Sequence, residues 1–285
     1  MLESIPFTID YTLLALLSAF LAAIANIMAR TILKNVKSRD ILGINFLMMA
    51  AVLTLFSPMF YFFEFSLWSV VFLLMVAAID LVANYFYFKS FEENEATAVT
   101  PLLSLSPVFA FVFGWFFISE VVSLYQLVIM IAIVVCIIIF SYDFSKGFKF
   151  QSIGLNSAVM ASILFGLSAI PAKILLTNLG AINAPTLYSL RASLIGLFGI
   201  LFLTSKVKEI SLGEYKLVFL RGIVVIAQWV LLYLALSQGP VGVTITLVNT
   251  APIFVFIFGI VLLREKPTIK KAIAAILVLT LSFML

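Results

Sequence analysis

Long apolar runs, broken by short polar, glycine or proline clusters, make up almost the whole chain. A helix that crosses the hydrocarbon core of a bilayer needs about 20 mostly apolar residues. Runs of that length predict ten spans: 11–33, 41–63, 67–91, 97–119, 122–142, 152–177, 183–204, 215–237, 241–263 and 270–285. The connections are short, so neighbours in sequence are expected to be antiparallel neighbours in space. The longest polar stretch, residues 143–151, is the natural joint between a first half, 1–142, and a second half, 152–285, each holding five helices. The predicted fold is an all-α integral membrane protein.

Polar side chains inside such runs are costly in hydrocarbon and are expected to face the bundle interior or a wet cavity. Helical spacing shows which face that is. Asp80, Asn84 and Tyr87 share one stripe of the third span, and Thr97, Thr100, Ser104 and Pro107 one stripe of the fourth. The eighth carries Arg221 and Gln228 two turns apart, with Trp229 and Tyr233 near them. The ninth carries Thr246, Asn249 and Thr250, backed by Pro252. Asn26 and Arg30 lie in the first span, Asn45 in the second, Ser168 and Lys173 in the sixth, and Tyr188 and Arg191 in the seventh. Residues 124–140 and 272–285 are almost wholly apolar, so the fifth and tenth spans read as peripheral, against lipid or another helix. The other eight would surround a central cavity.

Composition agrees. The 285 residues are 64% hydrophobic and 11% charged, with a mean hydropathy of +1.25. A soluble domain carries about 25% charge, and this chain folded in water would expose large apolar patches. The net charge of +4 matters through its placement rather than as a nucleic-acid signal. Lys34, Lys37, Arg39, Lys89, Lys146, Lys149, Lys206, Lys208, Lys216, Arg264, Lys266, Lys270 and Lys271 all fall on the face opposite the N-terminus. The other face carries Glu3, Asp10, Glu64 and Glu120. The excess of Lys and Arg predicts a cytoplasmic location for that basic face and an outside location for both termini. A basic start typical of a signal peptide is missing before the first run, so that run is expected to stay as a helix. Cys136 stands alone in an apolar run, and the chain has no histidine, the usual metal ligand and proton shuttle. No cofactor or metal is expected.

One motif occurs twice. Pro107, Gly114 and Glu120 recur at the same spacing as Pro252, Gly259 and Glu265, with phenylalanines in register between them. Apolar residues interchange freely in lipid; Pro, Gly and Glu do not, so their shared spacing points to two homologous halves. Because each half has an odd number of helices, the second must enter the membrane from the opposite face. The predicted repeat is inverted, with a substrate site near the midplane between the halves.

Several residues carry candidate chemistry. Asp80, the one acid deep within a span, costs at least about 2.5 kcal/mol at the bilayer centre. It reads either as a proton- or cation-coupling acid or as a structural partner of Arg191 or Arg221. A buried guanidinium suits a carboxylate or phosphate, or an ion pair between helices. Arg221 lies near a helix end and could snorkel; Arg30 and Lys173 read as snorkelling anchors. Pro107 and Pro252 kink their helices and read as hinges or as shaping elements, and Glu120 and Glu265 as gate residues or structural acids. Asn45, Asp80, Asn84, Tyr87, Thr100, Ser104, Tyr188, Arg191, Gln228, Trp229, Thr246 and Asn249 form the expected cavity set.

The tandem motif, Ser106-Pro107 to Gly114 to Glu120 and Ala251-Pro252 to Gly259 to Glu265, resembles the drug/metabolite transporter superfamily, EamA-like branch. Arg30, Lys173 and Arg191 fit the same pattern. The resemblance covers nearly the whole chain. It implies a cavity lined by helices 1–4 and 6–9, and secondary transport by alternating access, often export of amino acids or other small metabolites. Two departures stand out: Met48 occupies the position of Arg191 in the first half, and many members place their termini in the cytoplasm. The expected function is a carrier for a small polar or amphipathic solute, monomeric or weakly dimeric, with proton or ion coupling as an option. Drug efflux, a channel or a lipid flippase are the alternatives. No phosphate-binding G-x-x-x-x-G-K-[ST] loop and no hydrolase or zincin motif is present, so an enzyme is not expected.

Overall fold

Several helices begin where a polar side chain offers an acceptor to the first free backbone N–H groups. The computed structural model describes residues 10–93, 102–141, 153–203, 210–263 and 269–284. Helix α1 spans Tyr11–Leu33, with Asp10 accepting from the Thr12 N–H. Helix α2 spans Ser38–Phe56 and α3 Leu67–Glu93. Ser66 and Ser69 each accept the other's backbone N–H at the start of α3. Helix α4 spans Ser106–Ile118, and α5 spans Leu124–Ser141 behind a Ser123/Gln126 capping box. Helix α6, Ile153–Lys173, contains Pro171 and runs into a π-helical turn, Ile174–Asn178. Helix α7, Ala184–Phe202, is capped by Asn183, and α8, Leu212–Gln238, by a Ser211/Glu214 capping box. Helices α9, Val241–Val248, α10, Ala251–Leu263, and α11, Ile269–Ser282, complete the described chain. Among the described residues there is no strand, only one isolated bridge, Phe63 to Ile182.

Seven stretches of the described chain are long and apolar enough to cross a membrane: Tyr11–Leu33, Ser38–Met59, Leu67–Glu92, Asn156–Asn178, Ala184–Phe202, Leu212–Gln238 and Val241–Phe258. Ser106–Ile118 and Leu124–Ile137 are apolar but shorter. The joint expected at 143–151 and the start of the expected 97–119 span lie outside the described residues. Large apolar side chains such as Leu55, Phe65, Trp68, Trp115, Phe116 and Leu201 are exposed on the outside, a surface suited to hydrocarbon and not to water.

The most extensive packing pairs α3 with α6, α1 with α8, and α2 with α7. Helices α2 and α7 touch backbone to backbone. A Cβ on Gly43 would sit 2.6 Å from the Ile200 nitrogen, and one on Gly199 2.9 Å from the Gly43 Cα. Small residues allow this approach where lipid offers no hydrophobic drive between helices. Helix α5 stands at the periphery: Val128, Ile131, Val135 and Ile139 face outward, while Ile129, Ile133 and Ile137 pack on Ile253 and on Val278 of α11.

One end of the bundle is tied shut by connections far apart in sequence. The Glu64 N–H donates to the Ala181 carbonyl (2.7 Å), the Phe62 N–H to Thr186 Oγ1 (3.1 Å), and Asn183 Nδ2 to the Phe60 carbonyl (2.6 Å). Beside them the Val241 N–H donates to Glu120 Oε2 (2.7 Å). Lys173 Nζ donates to the carbonyls of Leu236 (2.6 Å) and Gly239 (2.8 Å), closing the C-terminus of α8. Lys173 thus turns inward to free carbonyls instead of snorkelling, whereas Arg30 is exposed.

The ninth expected span is not one continuous helix. It breaks at Asn249–Thr250, between α9 and α10, and the fourth breaks in the same way at Ser104–Leu105, ahead of α4. The short bonds across the two breaks correspond: Leu105 N–H to Leu102 carbonyl (3.2 Å) and Thr250 N–H to Leu247 carbonyl (3.1 Å), then Val108 to Leu105 (3.0 Å) and Ile253 to Thr250 (2.9 Å). Pro107 and Pro252 cause both. Neither has an N–H for the carbonyl four residues back, Leu103 or Val248.

Candidate functional site

The helix α8 sequence sets the site. Arg221, Val225, Gln228, Trp229, Leu232, Tyr233 and Leu236 recur at helical spacing, so they form one stripe, and all of them line a cavity of ≈ 170 Å³. Opposite them α3 supplies Asn84, Tyr87, Phe88 and Phe91 at the same period. Asn26 of α1, Asn45 and Phe46 of α2, and Phe165 and Ser168 of α6 fill the sides. The two helix breaks close the ring: Leu103, Ser104 and Ser106 from one, Val248, Asn249, Ala251 and Pro252 from the other. Among the described residues the wall is thus mostly aromatic and aliphatic, with a few amides and hydroxyls and a single charged group.

That group is Arg221. Its Nε donates to the Ala25 carbonyl (3.2 Å) and its Nη1 to Asn45 Oδ1 (2.8 Å), and the guanidinium lies 5.2 Å from the Phe88 ring centre. Arg221 is buried and does not snorkel. The Ser211/Glu214 capping box starts α8 at Leu212, earlier than the expected 215, which carries Arg221 deeper into the bundle. Nearby, the Tyr87 hydroxyl donates to Asn26 Oδ1. The Asn45 Nδ2 and the Tyr233 hydroxyl are buried on the cavity wall with no protein partner.

Behind this wall lies a second polar cluster. Arg191 Nε donates to Asp80 Oδ2, with both side chains fully buried. The Arg191 guanidinium carbon sits 3.8 Å from the Trp229 ring centre, and Tyr188 stacks on the same indole at 6.1 Å with an interplanar angle of 6°. The Tyr188 hydroxyl donates to Met49 Sδ (3.1 Å). The pair therefore reaches the cavity through wall residues, Trp229 and Phe46 against Arg191 and Asn84 against the Asp80 carbonyl.

Of the residues singled out in the sequence, Asn45, Asn84, Tyr87, Ser104, Gln228, Trp229, Asn249 and Pro252 line the cavity. Asp80, Tyr188 and Arg191 stand one layer behind it. Thr246 is turned to its own helix, donating to the Gly242 carbonyl (2.7 Å). Pro107 lies at the first break and Glu120 at the tied end. Thr100 and Glu265 lie outside the described residues. The expected set left out Asn26, Ser168, Arg221 and Tyr233. The i, i+7 spacing of Arg221 and Gln228, extended to Trp229 and Tyr233, was the signal that places the α8 stripe together.

The profile of the EamA-like transporter family matches residues 11–142 and, a second time, residues 152–285. The chain belongs to the EamA-like transporter family. This EamA-like chain is therefore a multi-pass membrane protein and a transporter of the drug/metabolite superfamily, built on two EamA repeats. Among solved structures, one crystal structure of a protein is similar at a TM-score of 0.75 and 14% identity. The match covers 95% of this chain and 94% of that one, a likeness of fold. No curated protein matches the EamA-like chain.

Proposed function

We propose that this chain is a secondary carrier that exports a small polar or amphipathic metabolite by alternating access, through ten spans in two inverted five-helix repeats, 1–142 and 152–285. The observation that carries the reading is the cavity between the repeats, sealed at one end by bonds from Phe60–Glu64 to Ala181–Thr186. A largely apolar crevice with a few polar groups and one tied mouth suits a carrier caught facing one side.

The packing supports inversion. A twofold axis in the membrane plane would exchange the α3–α6 pair with the α1–α8 pair and map α2–α7 onto itself, and those three pairs have the most extensive contacts. The matched breaks before Pro107 and Pro252 fit the same operation. The basic loops are assigned to the cytoplasm and both termini to the outside, from the charge pattern alone. A substrate with a polar head and an apolar body suits a described wall of amides, a guanidinium and several rings. Of the two readings of Asp80, its pairing with Arg191 favours the structural one over ion coupling.

Reconstitution tests the proposal. Proteoliposomes loaded with pooled metabolites should show counterflow: external labelled solute enters faster when the same solute is inside. Steady ionic current without counterflow would point to a channel and refute the carrier.

A further inference from the structure

The proposed carrier leaves the charge of its substrate open, and the cavity wall bears on it. Arg221 is buried on that wall, and among the described residues no carboxylate faces it. Its partners are the Ala25 carbonyl, Asn45 Oδ1 and the hydroxyl of Tyr87. The other buried arginine, Arg191, is already neutralised by Asp80. Among the described residues the wall therefore carries one positive charge with no counter-ion, an arrangement costly in low dielectric unless something supplies the anion.

A second observation points the same way. Arg221 fixes the orientation of the Asn45 amide, because Oδ1 is the atom that accepts from Nη1. That leaves Asn45 Nδ2, 2% exposed as a residue, as a buried donor with no protein partner beside the guanidinium. A charged N–H fork next to a free amide N–H matches the two oxygens of a carboxylate. The rest of the described wall carries no charge and includes the rings of Phe88, Trp229 and Tyr233.

We propose that the cavity selects a small organic monoanion, a carboxylate with an apolar body, with its head group on Arg221 and Asn45. The inference rests on the carrier reading but makes a separate claim. One fixed charge balances one negative charge. A phosphate dianion would leave an excess charge, a zwitterion would bring an ammonium group with no described carboxylate to receive it, and a lipophilic cation would be repelled.

Binding to the purified full chain, read by thermal shift, tests this with probes that share one ring. Phenylacetate should stabilise the protein, bind about tenfold to a hundredfold more tightly than phenylacetamide, and exceed phenylalanine, with phenethylamine showing nothing. A size series from acetate to indole-3-acetate covers the cavity volume. Arg221→Gln should reduce phenylacetate to the level of the amide, and Arg221→Lys should keep the preference for the anion. If Arg221→Gln does not fold, the wild-type comparison decides alone. The proposal is overturned if the amide, the amine or the zwitterion matches the carboxylate, if Arg221→Gln keeps the preference, or if no carboxylate in the series binds. Counterflow separates the two claims. Carboxylate-selective binding without counterflow removes the carrier and leaves this assignment; counterflow with no preference for the anion does the reverse.

Discussion

Substituting Asn for Asp80 is the perturbation whose cost the structure sets most directly. Asp80 and Arg191 form a fully buried pair, and Arg191 Nη1 and Nη2 have no other protein partner. Asp80→Asn keeps the shape but leaves a guanidinium charged and unbalanced in the bundle. Removing one member of a buried pair costs about 3–5 kcal/mol, which lowers the midpoint of thermal unfolding by roughly 6–12 °C for a chain of this size. The reverse change, Arg191→Met, should be milder, because a carboxyl group can shed its charge by binding a proton whereas a guanidinium keeps its own. Replacing both, as Asp80→Leu with Arg191→Met, should return stability to within about 1 kcal/mol of the starting protein. Cys136 is the single cysteine and only partly exposed, so its alkylation during heating in detergent reports unfolding. The reasoning fails if Asp80→Asn unfolds within about 0.5 kcal/mol of the parent, or if the double variant is as weak as the single one. An Asp80→Asn protein that stays folded yet loses the pH dependence of transport would establish the coupling role instead.

Three further outcomes follow from the packing and the tied end. Gly43→Ala should cost about 1–3 kcal/mol, because its methyl would meet the Ile200 backbone; Gly213→Ala, whose nearest neighbour is 4.0 Å away, should be neutral or stabilising in the same unfolding assay. Asn183→Ala removes both the cap of α7 and the bond to the Phe60 carbonyl. It should cost about 1–2 kcal/mol and speed the labelling of a cysteine placed in the cavity from that end of the bundle. Burial holds the Glu120 carboxyl above its ordinary range, against the opposing pull of the Val241 N–H and Lys173. The folded state therefore holds that proton more tightly than the unfolded chain does, and its stability falls as pH rises through the raised value. Glu120→Gln should flatten that slope in unfolding runs from about pH 4 to about pH 8.

Features legible in the sequence were those that depend on local spacing. Apolar run length gave α1, α3 and α7 close to their observed limits, and the stripe of Asn84 and Tyr87 faces the cavity as its period implies. The matching Pro, Gly and Glu positions gave the duplication. Partner choice was not legible. Arg191 and Arg221 are alike as sequence, and only the approach of α7 to α3 decides that Arg191 takes Asp80 and Arg221 is left facing the cavity. Lys173 could not be told from a snorkelling anchor, because the carbonyls it caps belong to α8, more than sixty residues on. The break at Asn249–Thr250 was visible only as Pro252: proline shows where a helical bond is lost, not whether the chain bends or unwinds there.

The stack on Trp229 has a practical use. The chain has three tryptophans, and two of them, Trp68 and Trp115, are on the outer surface at 62% and 64% exposure. Replacing both by phenylalanine would leave one indole as the sole emitter, with Tyr188 stacked on it, the Arg191 guanidinium over its ring, and an edge on the crevice. Its fluorescence would then follow solute arrival and departure directly, without an attached dye.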